Sequence, residues 1–560
     1  MSRSDEDTAQ TPENTRRNPR GVRLSYWNPE DEGFWESEGK AIANRNLWIS
    51  IPNLLCGFSV WLYWGMLAKF IQKAHFSNPE LFNFTFMNDG MPFAGDAYRN
   101  LLFTLPAVAG LVGATLRIPN SFMIAICGGR NVKFMTTLLL MLPALGAGIA
   151  LQNPETPFLI YILLAGLSGV GGGAFASSMS NISFFFPKRM QGLALGLNAG
   201  LGNLGVSVMQ FLLPWIITFS AFGALGGDSY TVAGKELWIQ NAGLVWVPIT
   251  GFLMVLAFLF MNNMPQHKSG PTLVAVGKYL WLTTLGGAGA GIGVFLLIIP
   301  WGGFPPLLKV FVILAVAVLV TLFFMKKLTP AAIRDPLDQQ FAIFDNKHNW
   351  VMTWLYTMTF GSFIGYANAF PKLIDDVFGV VRVGADGAPL AEAMLNPNAP
   401  ISAKYIWIGA GVGALIRPVG GWLSDKLGGA RVTHWDTIIM IGATIGAGYF
   451  VSVANSSSNP EQYFFPFLLL FILLFATTGI GNGSTFRMIP MIFKKEQAGP
   501  VLGWTSAIAA YGAYFIPKIF GQQIKNGTPE YALYGFAVYY LSCLIVNWWF
   551  YARKNAETPC

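Results

Sequence analysis

The stretch from residue 417 to residue 431 reads Arg417-Pro-Val-Gly-Gly-Trp-Leu-Ser-Asp-Lys-Leu-Gly-Gly-Ala-Arg431. It places an arginine eleven positions before a Gly-Gly pair, at the end of a long apolar segment. The same spacing occurs 300 residues earlier, where Arg117-Ile-Pro-Asn-Ser-Phe leads to Gly128-Gly129-Arg130. A charged signature that recurs in this way is typical of a chain built from two related halves.

Two more pairs of segments correspond in the same order. Basic residues and glycines coincide along both, which argues against a chance likeness of Gly-rich apolar stretches. The pairs are Gly171–Met179 with Gly479–Arg487, and Phe186-Pro-Lys-Arg-Met-Gln-Gly192 up to Gly196 with Phe493-Lys-Lys-Glu-Gln-Ala-Gly499 up to Gly503.

The composition identifies the environment of the chain. Of 560 residues, 53% are hydrophobic and only 11% are charged, with a mean hydropathy of +0.48. Soluble proteins carry about 25% charged residues, so lipid must surround most of this chain. A disordered chain, a disulfide scaffold and an ordinary soluble enzyme are excluded. The net charge of +8 fits basic cytoplasmic loops rather than a nucleic-acid partner.

No metal, cofactor or catalytic site is predicted. The four cysteines lie far apart and form no CxxC pair, and the four histidines fall in loops or at helix ends. No HExxH, Walker A or Ser-His-Asp pattern is present, so we do not expect an enzyme.

Fourteen apolar segments are long enough to cross a bilayer. Their approximate bounds are 47–71, 99–126, 133–152, 157–186, 191–217, 241–262, 273–299, 306–325, 350–378, 403–424, 435–454, 463–493, 500–521 and 531–552. Every second loop is basic, for example at Arg130, Lys188, Lys268 and Lys494, which places both termini in the cytoplasm. Twelve spans with two re-entrant segments at 273–325 are the weaker alternative.

The sequence thus predicts an all-α integral membrane protein with two pseudo-symmetric six-helix bundles and two extra central helices, in the inner (cytoplasmic) membrane. The predicted parts are a cytoplasmic tail (1–46), the first bundle (47–263), the extra helices (264–330), a cytoplasmic linker (331–349), the second bundle (350–552) and a cytoplasmic tail (553–560). The first tail is expected to lie on the membrane surface; docking of a partner is the alternative.

Arg117 and Arg417 mark the predicted binding site. Eleven residues of helix span roughly 16 Å, so both arginines lie near the middle of the membrane. A structural ion pair would need a carboxylate at that depth, and no Asp or Glu is predicted at the middle of any span. Two unpaired, symmetry-related arginines indicate an anion site between the halves. Arg487, near Lys494, is expected to extend toward the cytoplasm as a structural residue.

Glycines and aromatic residues surround these positions. The glycines recur at three- and four-residue spacing, which allows tight helix packing or smooth sliding surfaces. Phe175 lies in a Gly-rich span, and Tyr356 and Phe360 lie one helical turn apart.

Several stretches of the chain resemble a known family. The strings Gly171-Gly-Gly-Ala-Phe-Ala-Ser-Ser-Met-Ser-Asn-Ile-Ser-Phe-Phe-Phe-Pro-Lys-Arg and Ala199-Gly-Leu-Gly-Asn-Leu-Gly205 resemble the signature region of the nitrate/nitrite porter (NarK-type) family. Gly481-Asn-Gly-Ser-Thr-Phe-Arg-Met-Ile-Pro490 and Trp504-Thr-Ser-Ala-Ile-Ala-Ala-Tyr-Gly512 resemble its second-half partner. Gly421-Trp-Leu-Ser-Asp-Lys-Leu-Gly428 resembles the loop motif of the major facilitator superfamily, to which this family belongs.

The resemblance implies the substrate and the roles of residues. In this family two arginines, matching Arg117 and Arg417, hold nitrate or nitrite. A tyrosine matching Tyr356 adds a hydrogen bond, and two phenylalanines matching Phe175 and Phe360 flank the planar anion. Further signature residues match Asn203 and the glycines Gly172, Gly192, Gly205, Gly499 and Gly503. The helices at 273–325 depart from many relatives, which have twelve spans.

The expected function is nitrate/nitrite antiport by a monomer. The expected partners are nitrate, nitrite and the lipid bilayer, and no nucleic acid. Proton-coupled nitrate symport is an alternative, although no titratable group is predicted in the path. A phosphate or organophosphate exchanger, and a nitrate receptor without transport, also stay open.

Overall fold

The computed structural model describes residues 23–85, 90–91, 93, 95–267 and 269–560. Residues 1–22 of the predicted tail and Lys268 of a predicted basic loop lie outside this part. We call 47–263 the first half and 350–552 the second half, following the predicted division.

Helices build the first half and the segment before it. They are α1 (Glu32–Phe34), α2 (Lys40–Leu62), α3 (Trp64–Ser77), α4 (Gly95–Leu102), α5 (Thr104–Asn120), α6 (Met123–Cys127), α7 (Gly129–Ala150), α8 (Phe158–Phe185), α9 (Gln191–Ile216), α10 (Asn241–Leu244) and α11 (Trp246–Phe260). A hairpin of β1 (Tyr230–Val232) and β2 (Lys235–Leu237) precedes α10.

The rest of the chain is also mainly helical. It contains α12 (Thr272–Ile298), α13 (Pro306–Lys327), α14 (Ala331–Phe341), α15 (Lys347–Tyr356), α16 (Ser362–Val377), α17 (Ile406–Leu427), α18 (Gly429–Asn455), α19 (Phe464–Ile492), α20 (Lys495–Ala510), α21 (Gly512–Lys525) and α22 (Glu530–Asn547). A second hairpin, β3 (Val380–Val383) and β4 (Pro389–Leu395), lies between α16 and α17.

Eleven of the described helices are long and apolar enough to cross a membrane, or up to twelve if the bent pair Glu32–Leu62 and Trp64–Ser77 forms one span. The segments 347–377 and 495–525, which the sequence predicts as spans, are not among them. A π-helical segment, Thr357–Gly361, separates α15 from α16, and Tyr511 separates α20 from α21. Fourteen spans therefore stay a prediction.

The extra helices pack against the first half. Gly286 and Gly293 of α12 lie against Pro119 and Leu111 of α5, and the hydroxyl groups of Tyr279 and Thr136 are 3.0 Å apart. Both α12 and α13 are long enough to cross a membrane. Their outward side chains are exposed, as expected of lipid-facing helices; examples are Phe295 and Phe323.

The side that carries the two Gly-Gly turns, which the loop charges predict to be cytoplasmic, is called the inner side here. On it the segment after α11 caps α7, because Asn263 Oδ1 accepts a hydrogen bond from the Arg130 amide at 2.9 Å. The C-terminal segment takes the same place in the second half, where the Cys560 carbonyl accepts from the Ala430 amide at 3.1 Å. The two halves thus share this contact as well as their sequence repeat.

The described part of the first tail docks on the protein. The Trp27 indole donates to the Phe184 carbonyl at 2.9 Å, and the Trp35 side chain is buried against Phe186. Arg23 donates to the carbonyls of Pro265 and His267. This segment therefore covers the inner ends of the first-half helices.

Candidate anion-binding site between the two halves

Arg117 lies on α5 with no exposed surface. Its Nε donates to the Gly172 carbonyl at 2.8 Å, and Nη1 donates to the Ser506 carbonyl of the other half at 3.2 Å. Its Nη2 has no hydrogen-bond partner among the described residues. Arg117 thus keeps one buried donor free.

Arg417 lies on α17 and is equally buried. Its Nη2 donates to the Tyr356 hydroxyl at 2.6 Å, while Nε and Nη1 have no partner in the described part of the chain. No salt bridge to a carboxylate is found for either arginine among the described residues. Buried donors without partners are rare in folded proteins, so they indicate a binding site for an acceptor.

The rings of Phe175 and Phe360 lie between the guanidinium groups. They stack at a centroid distance of 5.1 Å and an angle of 13°. The Arg117 Cζ is 4.6 and 4.8 Å from the two centroids, and the Arg417 Cζ is 5.5 and 5.9 Å away. The predicted aromatic pair and the predicted arginines therefore form one cluster.

Phe486 belongs to the same cluster and was missed by the sequence reasoning. Its ring stacks on Tyr356 at 4.1 Å and lies 5.3 Å from the Arg417 Cζ. Its place in the quoted string before Arg487 was the available signal. Its residue type gave no signal, because the sequence contains 45 phenylalanines.

Trp61 completes the wall behind Arg117. Its ring centroid is 5.2 Å from the Arg117 Cζ, and its indole donates to the Ala109 carbonyl at 2.6 Å. Gly172 makes this arrangement possible, because a Cβ there would lie 2.7 Å from Gly113 Cα and from the Trp61 ring. Gly172 thus presents its carbonyl to Arg117 and leaves room for the indole.

Asn203 lies on α9 and is fully buried. Neither atom of its amide has a hydrogen-bond partner among the described residues. The structure shows no hydrogen bond from Asn203 to either arginine, so its placement at the anion stays a prediction.

The remaining signature glycines lie at helix crossings. Gly192 meets Gly421 of the other half, and Gly503 meets Ser121, where a Cβ would lie 2.5 Å from Cα. Gly499 meets Ser180, also across the halves, whereas Gly205 packs on Leu55 within the first half. Three of the four therefore serve contacts that must separate if the halves move.

A polar latch closes the inner side. Both carboxylate oxygens of Asp425 accept backbone hydrogen bonds across the halves, from Gly192 at 3.0 Å and Leu193 at 2.9 Å. The Arg487 Nε lies 3.3 Å from the same carboxylate, and both side chains are largely buried. Arg487 is therefore tied to Asp425 on the inner side, which fits a structural role for this residue.

The opposite side is closed as well. The hydroxyl groups of Thr115 and Tyr511 are 2.9 Å apart, and Ser207 donates to the Trp407 carbonyl at 2.8 Å. The predicted binding residues are all fully buried, namely Arg117, Arg417, Tyr356, Phe175, Phe360 and Asn203. The structure thus shows the site occluded from both sides.

One acidic residue of the second half lies inside a long helix rather than at its end. The predicted span 435–454 begins one residue before Asp436, but α18 begins at Gly429. Two turns of helix therefore precede Asp436, and its side chain is only 5% exposed. The second half contains a buried carboxylate that the segment bounds concealed.

The cluster has the chemistry of a site for a small flat anion. Guanidinium groups bind planar oxyanions through parallel N–H donors, and here three such nitrogens are free. The aromatic rings exclude water and favour a weakly hydrated ion. Among the described residues, no group of three His, Cys, Asp or Glu could hold a metal.

The fold matches known transporters. The chain superposes on the proton:xylose symporter XylE with a TM-score of 0.57 and 13% identity, covering 91% of this chain and 96% of that one. The human organic anion transporter MFSD10 gives 0.55 and 11%, covering 90% and 99%. These likenesses show the mainly helical fold of the major facilitator superfamily, which confirms the predicted fold class.

Sequence comparison defines the family. The chain is 35% identical over 549 residues to the probable nitrate/nitrite antiporter NarK2 of Thermus thermophilus, covering 97% of this chain and 99% of that protein. It is 34% identical over 555 residues to the nitrate/nitrite transporter NarU of Escherichia coli K12, covering 95% and 96%. No protein-family model matches. The chain belongs to the nitrate/nitrite porter family, as its motifs predicted.

Proposed function

We propose that this protein transports nitrate and nitrite by alternating access and exchanges one anion for the other at a single site between Arg117 and Arg417. The observation that carries this proposal is the set of free buried guanidinium nitrogens, one on Arg117 and two on Arg417, with no carboxylate bound to either residue. The names of the relatives support the choice of anion.

The surrounding residues fit the proposed roles. The Tyr356 hydroxyl, held at 2.6 Å by Arg417, has a proton to donate to an anion oxygen. Asn203 supplies an amide donor from α9. Phe175 and Phe360 flank the anion, and because each ring needs about 3.5 Å to a planar ion, they must move from 5.1 Å to about 7 Å apart.

Exchange follows from the charges. Two guanidinium charges about 8 Å apart repel each other by about 2 kcal/mol at an effective dielectric constant near 20. A bound anion removes this repulsion, so the loaded site crosses between the two sides more readily than the empty one. Release of nitrite on one side is thereby linked to binding of nitrate on the other.

The same geometry disfavours a doubly charged substrate. Phosphate and organophosphates need further positive charge for their second negative charge. The buried Lys133 donates to Ser178 at 3.0 Å instead of joining the aromatic cluster.

We further propose that the protein is a monomer in the inner membrane with both termini in the cytoplasm. We also propose that it is a transporter rather than a receptor or an enzyme.

Flux into proteoliposomes tests the function. We expect labelled nitrate to enter vesicles loaded with nitrite and to be excluded from vesicles loaded with sulfate. With a proton gradient of either sign imposed, nitrate uptake should still require nitrite inside the vesicles. Uptake into empty vesicles driven by an inward proton gradient would contradict exchange and support symport; binding without flux would support a receptor.

Tyr356→Phe should raise the nitrate KM about tenfold, because one hydrogen bond to a charged group contributes about 1.5 kcal/mol or more. Initial rates of nitrate uptake over a range of nitrate concentrations measure this effect. Tyr539→Phe is the matched control, since the Tyr539 hydroxyl donates to the Trp354 carbonyl at 2.7 Å on the exposed surface. An unchanged KM in Tyr356→Phe would remove Tyr356 from the site.

A further inference from the structure

Asp436 is a buried carboxylate outside the anion site. It lies on α18, about 10 Å along the helix from Gly429, and its side chain is 5% exposed. Its Oδ2 atom has no hydrogen-bond partner among the described residues. A buried carboxylate without a partner needs an explanation, since such groups are rare.

The neighbours of Asp436 connect it to the aromatic cluster. A Cβ built on Gly481 would lie 2.8 Å from Asp436 Oδ2 and 2.6 Å from Thr359 Cγ2, so all three residues meet at one point. The hydroxyl groups of Thr359 and Thr485 are 3.4 Å apart. Each threonine directly precedes a ring of the cluster in sequence, Phe360 and Phe486 respectively. Asp436 therefore lies one layer behind the anion site.

This layer is built from deformable elements. Thr359 belongs to the π-helical segment Thr357–Gly361, and π-helical segments occur preferentially at functional positions. Gly481 lies in α19 between Gly479 and Gly483, each of which packs against the backbone of α17. A change in the Asp436 charge would act on both elements that carry the rings.

No charged group in the described structure compensates Asp436. On α17, Arg417 bonds to Tyr356, and on α19, Arg487 bonds to Asp425. On α22, the Tyr540 hydroxyl contacts Ser362 and Tyr366, and the Cys543 thiol is 3.9 Å from the Trp354 carbonyl. On α18 itself, Thr433 pairs with Ser484, and Thr437 donates to the Thr433 carbonyl.

The first half has no carboxylate at the matching position. The offset of 300 residues aligns Asp436 with Thr136, whose hydroxyl contacts that of Tyr279 at 3.0 Å. A neutral residue therefore suits this position in the first half, and the titratable group is particular to the second half.

We propose that Asp436 is a proton-binding site whose occupancy sets the rate of anion exchange. An isolated carboxylate charge is very costly in an apolar interior, so the closed packing seen here requires the protonated form. The ionised form needs water or a partner, which separates α18 from Thr359 and Gly481 and disturbs the rings. Because protonation favours the closed state through which every cycle passes, the exchange rate should fall as pH rises.

The test measures self-exchange of labelled nitrate in proteoliposomes at equal pH on both sides, from mildly acidic to mildly alkaline. Nitrate stays ionised throughout, so the pH dependence belongs to the protein. The wild-type rate should fall with rising pH, by at most about tenfold per pH unit for a single proton. Two variants remove the carboxyl group: Asp436→Asn, and Asp436→Thr, which introduces the residue found at position 136 of the first half. At every pH, both should exchange nitrate at the rate that the wild type shows at acidic pH.

Infrared spectroscopy of the purified protein gives a second readout. The wild type should show the carbonyl stretch of a protonated carboxyl group that Asp436→Asn lacks, and this band should disappear over the same pH range as the exchange rate. The same pH profile in both proteins, or the same bands, would overturn the proposal.

The proposal rests on the proposed function only for its transport readout. If the wild-type protein moved no nitrate at any pH, the proposed function would fail, and the infrared titration alone would decide whether Asp436 binds a proton.

Discussion

Arg417→Lys should lower the nitrate kcat/KM by a factor of about 100 to 1,000 while the protein stays folded. Lysine keeps the charge but loses the planar fork, the hydrogen bond to Tyr356 and the two free donors at Nε and Nη1. Losing one partner of a buried, hydrogen-bonded charge contact costs about 3–4 kcal/mol, which corresponds to this range. Initial rates of nitrate exchange in proteoliposomes measure the effect.

Two further variants make this result specific. Arg117→Lys should have an effect of the same order, because Arg117 supplies the other side of the site. Arg431→Lys changes an exposed arginine on α18 and should transport like the wild type. Normal exchange by either lysine variant of the buried arginines would remove that residue from the anion site.

Gly192→Leu should abolish transport without unfolding either half. A Cβ at Gly192 would lie 2.6 Å from Asp425 Oδ1 and would overlap the Gly421 carbonyl, so the inner side cannot close as it does here. The contact joins the two halves, so the packing inside each half is not affected. Transport assays combined with thermal melting of the purified protein separate loss of closure from loss of folding.

Gly442→Leu is the matched control for this variant. Gly442 also lies in a membrane helix, α18, but nothing would lie within 4 Å of a Cβ there. It should transport and melt like the wild type. Wild-type transport by Gly192→Leu would show that the contact with Gly421 need not form during the cycle.

The sequence predicted the two arginines of the candidate site. An arginine in an apolar segment is conspicuous, and its repetition after 300 residues indicated that Arg117 and Arg417 face each other across the two halves. The structure brings both to the same aromatic cluster. Phe175, Tyr356 and Phe360 were singled out by a Gly-rich span and by helical spacing, and their roles at the anion came from the family resemblance.

Other features could not be predicted, for physical reasons. Phe486 has no distinguishing pattern, because its role depends on which face of α19 turns toward Tyr356. The π-helical segment 357–361 turns Thr359 and Phe360 to new positions, and helical periodicity cannot show this. Asp436 was hidden because hydropathy places helix ends where polarity rises, whereas α18 begins six residues earlier than predicted, at Gly429. Contacts such as Arg487 with Asp425 depend on tertiary packing alone.

The most direct test of the anion site is a crystal or cryo-electron microscopy structure of the protein in saturating nitrate, in which the centroid distance between the Phe175 and Phe360 rings is measured. We predict a flat density between the rings, hydrogen-bonded to Arg117, Arg417 and Tyr356, and a ring separation that grows from 5.1 Å to about 7 Å. Rings still in contact, with nitrate bound elsewhere, would contradict the proposed site.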